Sequence, residues 1–130
     1  GHRRDLNRPQ FRLDAVERRL QDPDADATNV LAVLRHALEI RSAQPALHPD
    51  AAMTVLSSDR SDLVILKRSI DGDNALYAVH NITSNRLTLS LAQLRAESDS
   101  GFVDCLSGQS FAARQQPSIE PYAVHWLVKP

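Results

Sequence analysis

The side chains in this sequence that could do chemistry are five histidines (His2, His36, His48, His80 and His125), one cysteine, Cys105, and the clustered acids Asp22, Asp24 and Asp26. Zinc takes its ligands at short, fixed spacings, as in Cys-x-x-Cys pairs or two histidines at i and i+4 on one helix face. No two histidines stand at that spacing and Cys105 has no second thiol, so the pattern predicts neither a metal site nor any cofactor. A thiol is a nucleophile only where its surroundings favour the thiolate. Cys105 lies in a strand-like run and reads as a small buried hydrophobe. Asp22, Asp24 and Asp26 flank Pro23, where the chain must leave one helix before starting the next, so they read as a solvated helix cap and not as a convergent acid pair. His80 and His125 fall in strand-like runs as packing or surface residues, and His36 falls on the polar face of a helix.

Trp126, Tyr122 and Phe111 could stack on a sugar ring, but aromatics are only 5% of the chain. Trp126 alternates with Val124 and Val128 as one core-facing row would. Residues 3–19 hold six arginines against three acids, the kind of excess that marks a nucleic-acid contact. No recognition-fold signature accompanies them, and they read as a solvated loop and helix face. A net charge of -1 gives no pull toward nucleic acid or anionic membrane. No apolar run approaches the roughly 18 residues needed to cross a bilayer. One cysteine cannot form an internal disulfide, which fits a cytoplasmic location. Gly1-His2-Arg3-Arg4-Asp5 has neither the apolar stretch of a signal peptide nor an initiator Met. The expectation is a chain that begins within a longer protein, with Gly1-His2 native or tag-derived.

The elements that would position these residues change character near residue 50. Helix-period apolar spacing gives way there to short β-branched runs separated by Gly, Asn, Asp and Ser. A short helix is expected over 12–20 and a long one over 26–44, with Asp26 as N-cap and Pro45 as stop. On the long helix Val30, Leu31, Val33, Leu34, Ala37, Leu38 and Ile40 share about half the circumference, a stripe that wants a sheet or several helices beneath it. Strands are expected at 53–56, 63–68, 75–80, 87–91, 103–106 and 123–128, with Asp71-Gly72-Asp73-Asn74 and 81–85 as hairpin turns. The fold class is mainly β, an antiparallel sandwich behind one short and one long α-helix. Residues 1–50 form the helical lead and 51–130 the β domain.

Five segments, in order, resemble the end of glycoside hydrolase family 13 enzymes of the sucrose phosphorylase type. Arg4-Asp5-Leu6-Asn7-Arg8 is similar to the Arg-Asp-Ile-Asn-Arg segment that follows the eighth barrel strand. Leu34-Arg35-x-x-Leu38-x-x-Arg41-x-x-x-Pro45-x-x-His48-Pro49 resembles the eighth barrel helix and its exit. Leu76-Tyr77-Ala78-Val79-His80-Asn81-Ile82-Thr83 resembles a His-Asn-Val-Ser strand end, Asp104-Cys105-Leu106-Ser107-Gly108 an Asp-Leu-Leu-Ser/Thr-Gly turn, and Pro121-Tyr122-Ala123-Val124-His125-Trp126-Leu127 the closing strand. The first segment points to sucrose phosphorylase or a close phosphorylase such as one acting on glucosylglycerate. The Asp-x-x-Ser-Gly and Pro-Tyr-x-x-x-Trp-Leu pieces are common to amylase-type tail domains.

The resemblance implies retaining glucosyl transfer by an Asp nucleophile and a Glu acid/base on a (β/α)8 barrel, with phosphate intercepting the glucosyl-enzyme. Those strands would precede residue 1, so this chain is expected to be non-catalytic, to pack against the missing barrel, and to meet sugar and phosphate only through the parent. By resemblance Arg4 helps hold the glucose ring, a task suited to a planar guanidinium with two parallel donors. The rival readings are a stand-alone carbohydrate-binding domain and a homo-oligomer formed through the apolar helix face.

Overall fold

A computed structural model describes residues 10–58, 60–70, 74–94 and 101–130. Contacts divide the chain into Gly1–Leu38 and Glu39–Pro130. In the first part, α1 spans Leu13–Gln21 and α2 begins at Asp26, ending at Ala43. The turn between the helices is built by Asp22, whose side chain accepts the Asp24 N–H at 3.0 Å. Ala25 O accepts the first helical N–H groups, from Thr28 and Asn29. Asp26 therefore sits one residue inside the helix and is not the expected N-cap, although its charge still faces the positive end of the helix dipole. Around α1, the arginine-rich segment is partly self-neutralised, because Arg12 and Arg18 both bind Asp14.

In the second part a 3-10 turn, Pro45–Leu47, leads to eight strands: β1 Ala52–Leu56, β2 Leu63–Ser69, β3 Leu76–Asn81, β4 Leu87–Thr88, β5 Phe102–Asp104, β6 Ser110–Phe111, β7 Ser118–Ile119 and β8 Val124–Val128. Six of them form one antiparallel sheet in the order β1-β2-β3-β8-β5-β6, and β4 pairs with β7. The sequence Leu-Tyr-Ala-Val of β3 is apolar without alternation because this strand is buried on both faces. On one face Tyr77 and Val79 join Leu63, Ile65 and Leu127 of the same sheet, and Leu87, Leu89, Leu91, Leu94 and Ile119 close over them as the main core. The ring of Tyr77 meets Phe102 edge-on at 5.7 Å. On the other face Leu76 and Ala78 take Ala46 and Leu47, with Leu66, Trp126 and Val128 at the margin.

Among the expected turns and the alternating run, two expectations are not met and a third falls outside the described residues. Asp71, Gly72 and Asp73 of the expected hairpin lie outside the described residues. The 81–85 turn does not close a hairpin, since β8 occupies the edge of β3 that β4 would have needed. The chain crosses instead to the small sheet, where β4 meets β7. The alternating run 87–91 is strand only at Leu87–Thr88 and then turns into a 3-10 helix, Leu91–Leu94, yet Leu87, Leu89 and Leu91 all point into the core. Alternation predicted burial correctly and backbone pairing only in part.

Leu127 lies at the junction of β3, β8 and β5 and is 1% exposed. Leu127→Ala should cost about 3 kcal/mol through lost burial and an unfilled cavity, read as a shift of the urea midpoint at constant m-value.

Candidate functional site

Arg4 and the rest of the Arg4–Arg8 segment lie outside the described residues, so the structure does not place the one expected sugar contact. The other quoted motifs are placed, and two of them prove to be hydrogen-bonding hubs. Asp104 ends β5 and is 1% exposed. Its Oδ1 accepts the N–H of Leu106 at 3.2 Å and of Trp126 at 2.9 Å. Its Oδ2 accepts the Ser107 hydroxyl at 2.7 Å and lies 3.0 Å from His125 Nδ1. The turn is completed by Gly108, in left-handed conformation at φ 72°, whose N–H reaches Asp104 O.

Burial works against the charge of Asp104, but the bonds from His125, Ser107, Trp126 and Leu106 outweigh it and hold the carboxyl at about 2. Ser, His and Asp are the constituents of a hydrolytic triad, but here the wiring is wrong for one. A catalytic serine must give its proton to the histidine, whereas Ser107 and His125 both bond the same oxygen of Asp104. The cluster is a structural tie.

The second hub is Asn81. Its Nδ2 donates to the carbonyls of Asn85, Ile119 and Glu120, and its Oδ1 accepts the N–H and hydroxyl of Thr83. This bond set joins the turn after β3 to the segment between β7 and β8, where Arg86 and Glu120 form an ion pair. Tyr122, in the same corner, is exposed and adopts φ 57°. Its N–H donates to Thr83 O, which holds that unfavourable backbone in place.

Among the remaining chemical candidates, Cys105 is raised in pKa by burial, with the neighbouring Asp104 charge pushing the same way against the Gln44 hydrogen bond on its sulfur. Its thiolate is disfavoured, but Cys105 is only half-buried and lies in the turn after β5, not in the expected strand. His80 is half-buried and its pKa is lowered by desolvation, and His36 is exposed on α2. Among the described residues no group of three or more His, Cys, Asp or Glu side chains could hold a metal ion, and no helix is long and apolar enough to cross a membrane. Phe111 is buried in the main core. Trp126, Val124 and Val128 do share one side of β8, as expected, but that side is not the main core. Val124 is exposed there and Trp126 packs on the second cluster, while Leu127 enters the main core.

What stays uncovered is the long helix. Val30, Val33, Leu34 and Leu38 of α2 are each more than half exposed, and α1 and the start of α2 leave an apolar hollow of about 350 Å³ lined by Phe11, Ala15, Val16, Leu20, Ala27 and Arg19. An exposed apolar surface of this extent marks a contact with something else.

The comparisons with known proteins place this geometry. No family model matches the chain. Glucosylglycerate phosphorylase of Allomeiothermus silvanus is 30% identical over 128 residues, which cover 98% of this chain and 20% of that protein. The chain is similar to the C-terminal part of a glycoside hydrolase family 13 phosphorylase. It spans about one fifth of the length of the relative it matches. Among solved structures, AmyP in complex with maltose matches with a TM-score of 0.56 at 24% identity, over 70% of this chain and 18% of that one. A point variant of AmyP with maltotriose matches with a TM-score of 0.57 at 25% identity, over 71% of this chain and 19% of that one. These likenesses show the fold, an amylase-type C-terminal β domain preceded by two helices.

In this β domain the sequence motifs read as turns and strand ends. Their role as buried hubs is not announced by either segment alone, although Asp-x-x-Ser-Gly is a spacing that lets one carboxylate cap its own turn. Removing the Asp104 carboxylate would strand its donors beside His125. Asp104→Ala should destabilise the chain by about 3 kcal/mol, read by thermal and urea unfolding. The folded pKa of Asp104 lies below the ordinary carboxylate value, so its contribution is present above about pH 4 and is lost as pH falls toward 2. The acid-unfolding curve of Asp104→Ala should converge on that of the parent chain in that window. Curves that stay parallel down to pH 2 would contradict the assignment.

Proposed function

We propose that this chain is the non-catalytic C-terminal portion of a retaining glycoside phosphorylase that works in the cytoplasm. Residues 1–50 close a (β/α)8 barrel and residues 51–130 form its tail domain. The supporting observation is a match along nearly the whole chain to one fifth of a glucosylglycerate phosphorylase. The unburied stripe of α2 fits this reading, because a helix with Val30, Val33, Leu34 and Leu38 exposed has the apolar width of a barrel helix separated from its sheet. In this reading α2 is the eighth barrel helix, the tail domain stabilises the barrel, and the catalytic Asp and Glu belong to barrel strands contributed by the rest of the protein.

The match to a glucosylglycerate phosphorylase supports a glucoside as the substrate class. A glucoside of glycerate is the first candidate, with sucrose second, and the product is glucose 1-phosphate. Arg4 holds the glucose ring beside a barrel carboxylate, through the paired donors of its guanidinium.

The test is to capture the polypeptide that carries this sequence from its source cells, with an antibody raised against the chain, and to assay it with phosphate and each glucoside. The expected result is a polypeptide several-fold heavier than this chain that releases glucose 1-phosphate. A captured species of this chain's own mass, or a heavier one inert toward both glucosides, rejects the reading. In the active polypeptide Arg4→Ala should lower kcat/KM by about 100-fold, the loss expected for a charge-assisted contact worth about 3 kcal/mol. Kinetics near those of the parent enzyme would remove the sugar contact from Arg4.

A further inference from the structure

The edge of a β-sheet carries a row of unpaired N–H and C=O groups, and chains that stay monomeric protect it with charge, proline, a bulge or brevity. The large sheet ends in β6 on one side and β1 on the other. β6 is protected by its length of two residues. β1 is five residues long and pairs with β2 alone among the described strands. It reads Ala52-Met53-Thr54-Val55-Leu56, with Ala51 before it and Ser57-Ser58 after it. The strand and these neighbours contain no charge, proline or glycine. Met53 is 61% exposed and Val55 66%. This edge holds two large apolar side chains in solvent and is protected neither by charge, nor by proline, nor by brevity.

We propose that β1 is a self-association edge, along which two copies of the chain pair β1 with β1 in antiparallel fashion about a two-fold axis at Thr54. The two six-stranded sheets then run on as one. The strand is self-complementary in this register. Thr54 lies opposite Thr54 of the second copy, a favourable cross-strand pair. Met53 lies opposite Val55 and Ala52 opposite Leu56, on both sides of the axis. Met53 and Val55 occupy the same face of β1, since their partners on β2 are Arg68 and Leu66, so the two apolar pairs stack side by side across the axis. No cross-axis pair brings like charges together, and an isologous contact of this kind closes at two copies. A second copy supplies all these matches at once, which is why it is the occupant the strand fits best.

Sedimentation velocity of the 130-residue chain over a concentration series up to about 200 µM reads the association. The expected result is a species of two chains. Thr54→Lys and Thr54→Glu should each weaken it by about tenfold or more, because each sets like charges opposite one another on the axis. An equimolar mixture of the two variants should restore it, because the opposed charges are then complementary. Thr54 is exposed, and the circular dichroism melt of each variant checks that it folds. Val55→Lys, at another exposed position, replaces either variant that fails this check and should also disperse the dimer. A chain that stays monomeric throughout the series overturns the proposal. It is equally overturned by a dimer that survives both Thr54 variants, by one that only Leu34→Asp on α2 disperses, or by a mixture that associates no better than its components.

Discussion

The carboxylate of Asp104 is charged, shielded from water and surrounded by donors from two separate stretches of chain. The ladder between β5 and β8 consists of Val103 opposite Val128 and Asp104 opposite Leu127, which is too short to fix the two strands by backbone bonding alone. Asp104 extends that ladder through its side chain, taking the Trp126 N–H, while Cys105 N–H reaches Trp126 O. The position of β8 decides the rest, since it separates β3 from β5 and excludes β4 from the large sheet. A buried ion of this kind contributes little net energy compared with a well-packed hydrophobic replacement, but leaving its donors unpaired is expensive. Its effect is therefore on which strands become neighbours more than on how strongly they are held.

The two parts of the chain differ in how far their own contacts satisfy them. The β domain buries both faces of β3 and places most of its large apolar residues in two clusters. The long helix buries none of its residues, and Val30, Val33, Leu34 and Leu38 on its apolar stripe are exposed. Helical propensity can maintain such a helix only marginally, since most helix stability in proteins comes from packing. In the proposed reading, the barrel of the longer protein would supply the missing counterpart to that stripe.

Much of this was legible from side-chain periodicity. The helices, the long strands and the inward set Leu87, Leu89 and Leu91 follow from spacing alone, because burial is a property of which side a residue faces. The pairing of strands was less legible. Ser110–Phe111 and Ser118–Ile119 are too short to carry a period, and the 81–85 turn looks like a hairpin until Asn81 is seen bonding to Ile119 and Glu120. Those bonds span more than thirty residues and leave no local signature. The same holds for Asp104 and His125. Each was read singly, one in a turn and one in a strand, and nothing in either segment announces that the two would meet. The face of Trp126 is not legible either, because alternation sorts residues into two sides without saying which side is the thicker core.

Trp126 is the chain's sole tryptophan, and it rests on the cluster formed by Ala46, Leu47, Leu76 and Ala78. The intrinsic emission of the protein is therefore an optical report from the side of the sheet that meets the Pro45–Leu47 turn. The opposite side, lined by Phe102, Phe111 and Tyr77, is nearly silent in that channel. Fluorescence would thus report one layer of this small domain while far-ultraviolet circular dichroism reports the backbone of both, and a difference in their midpoints would show that the two layers do not loosen together.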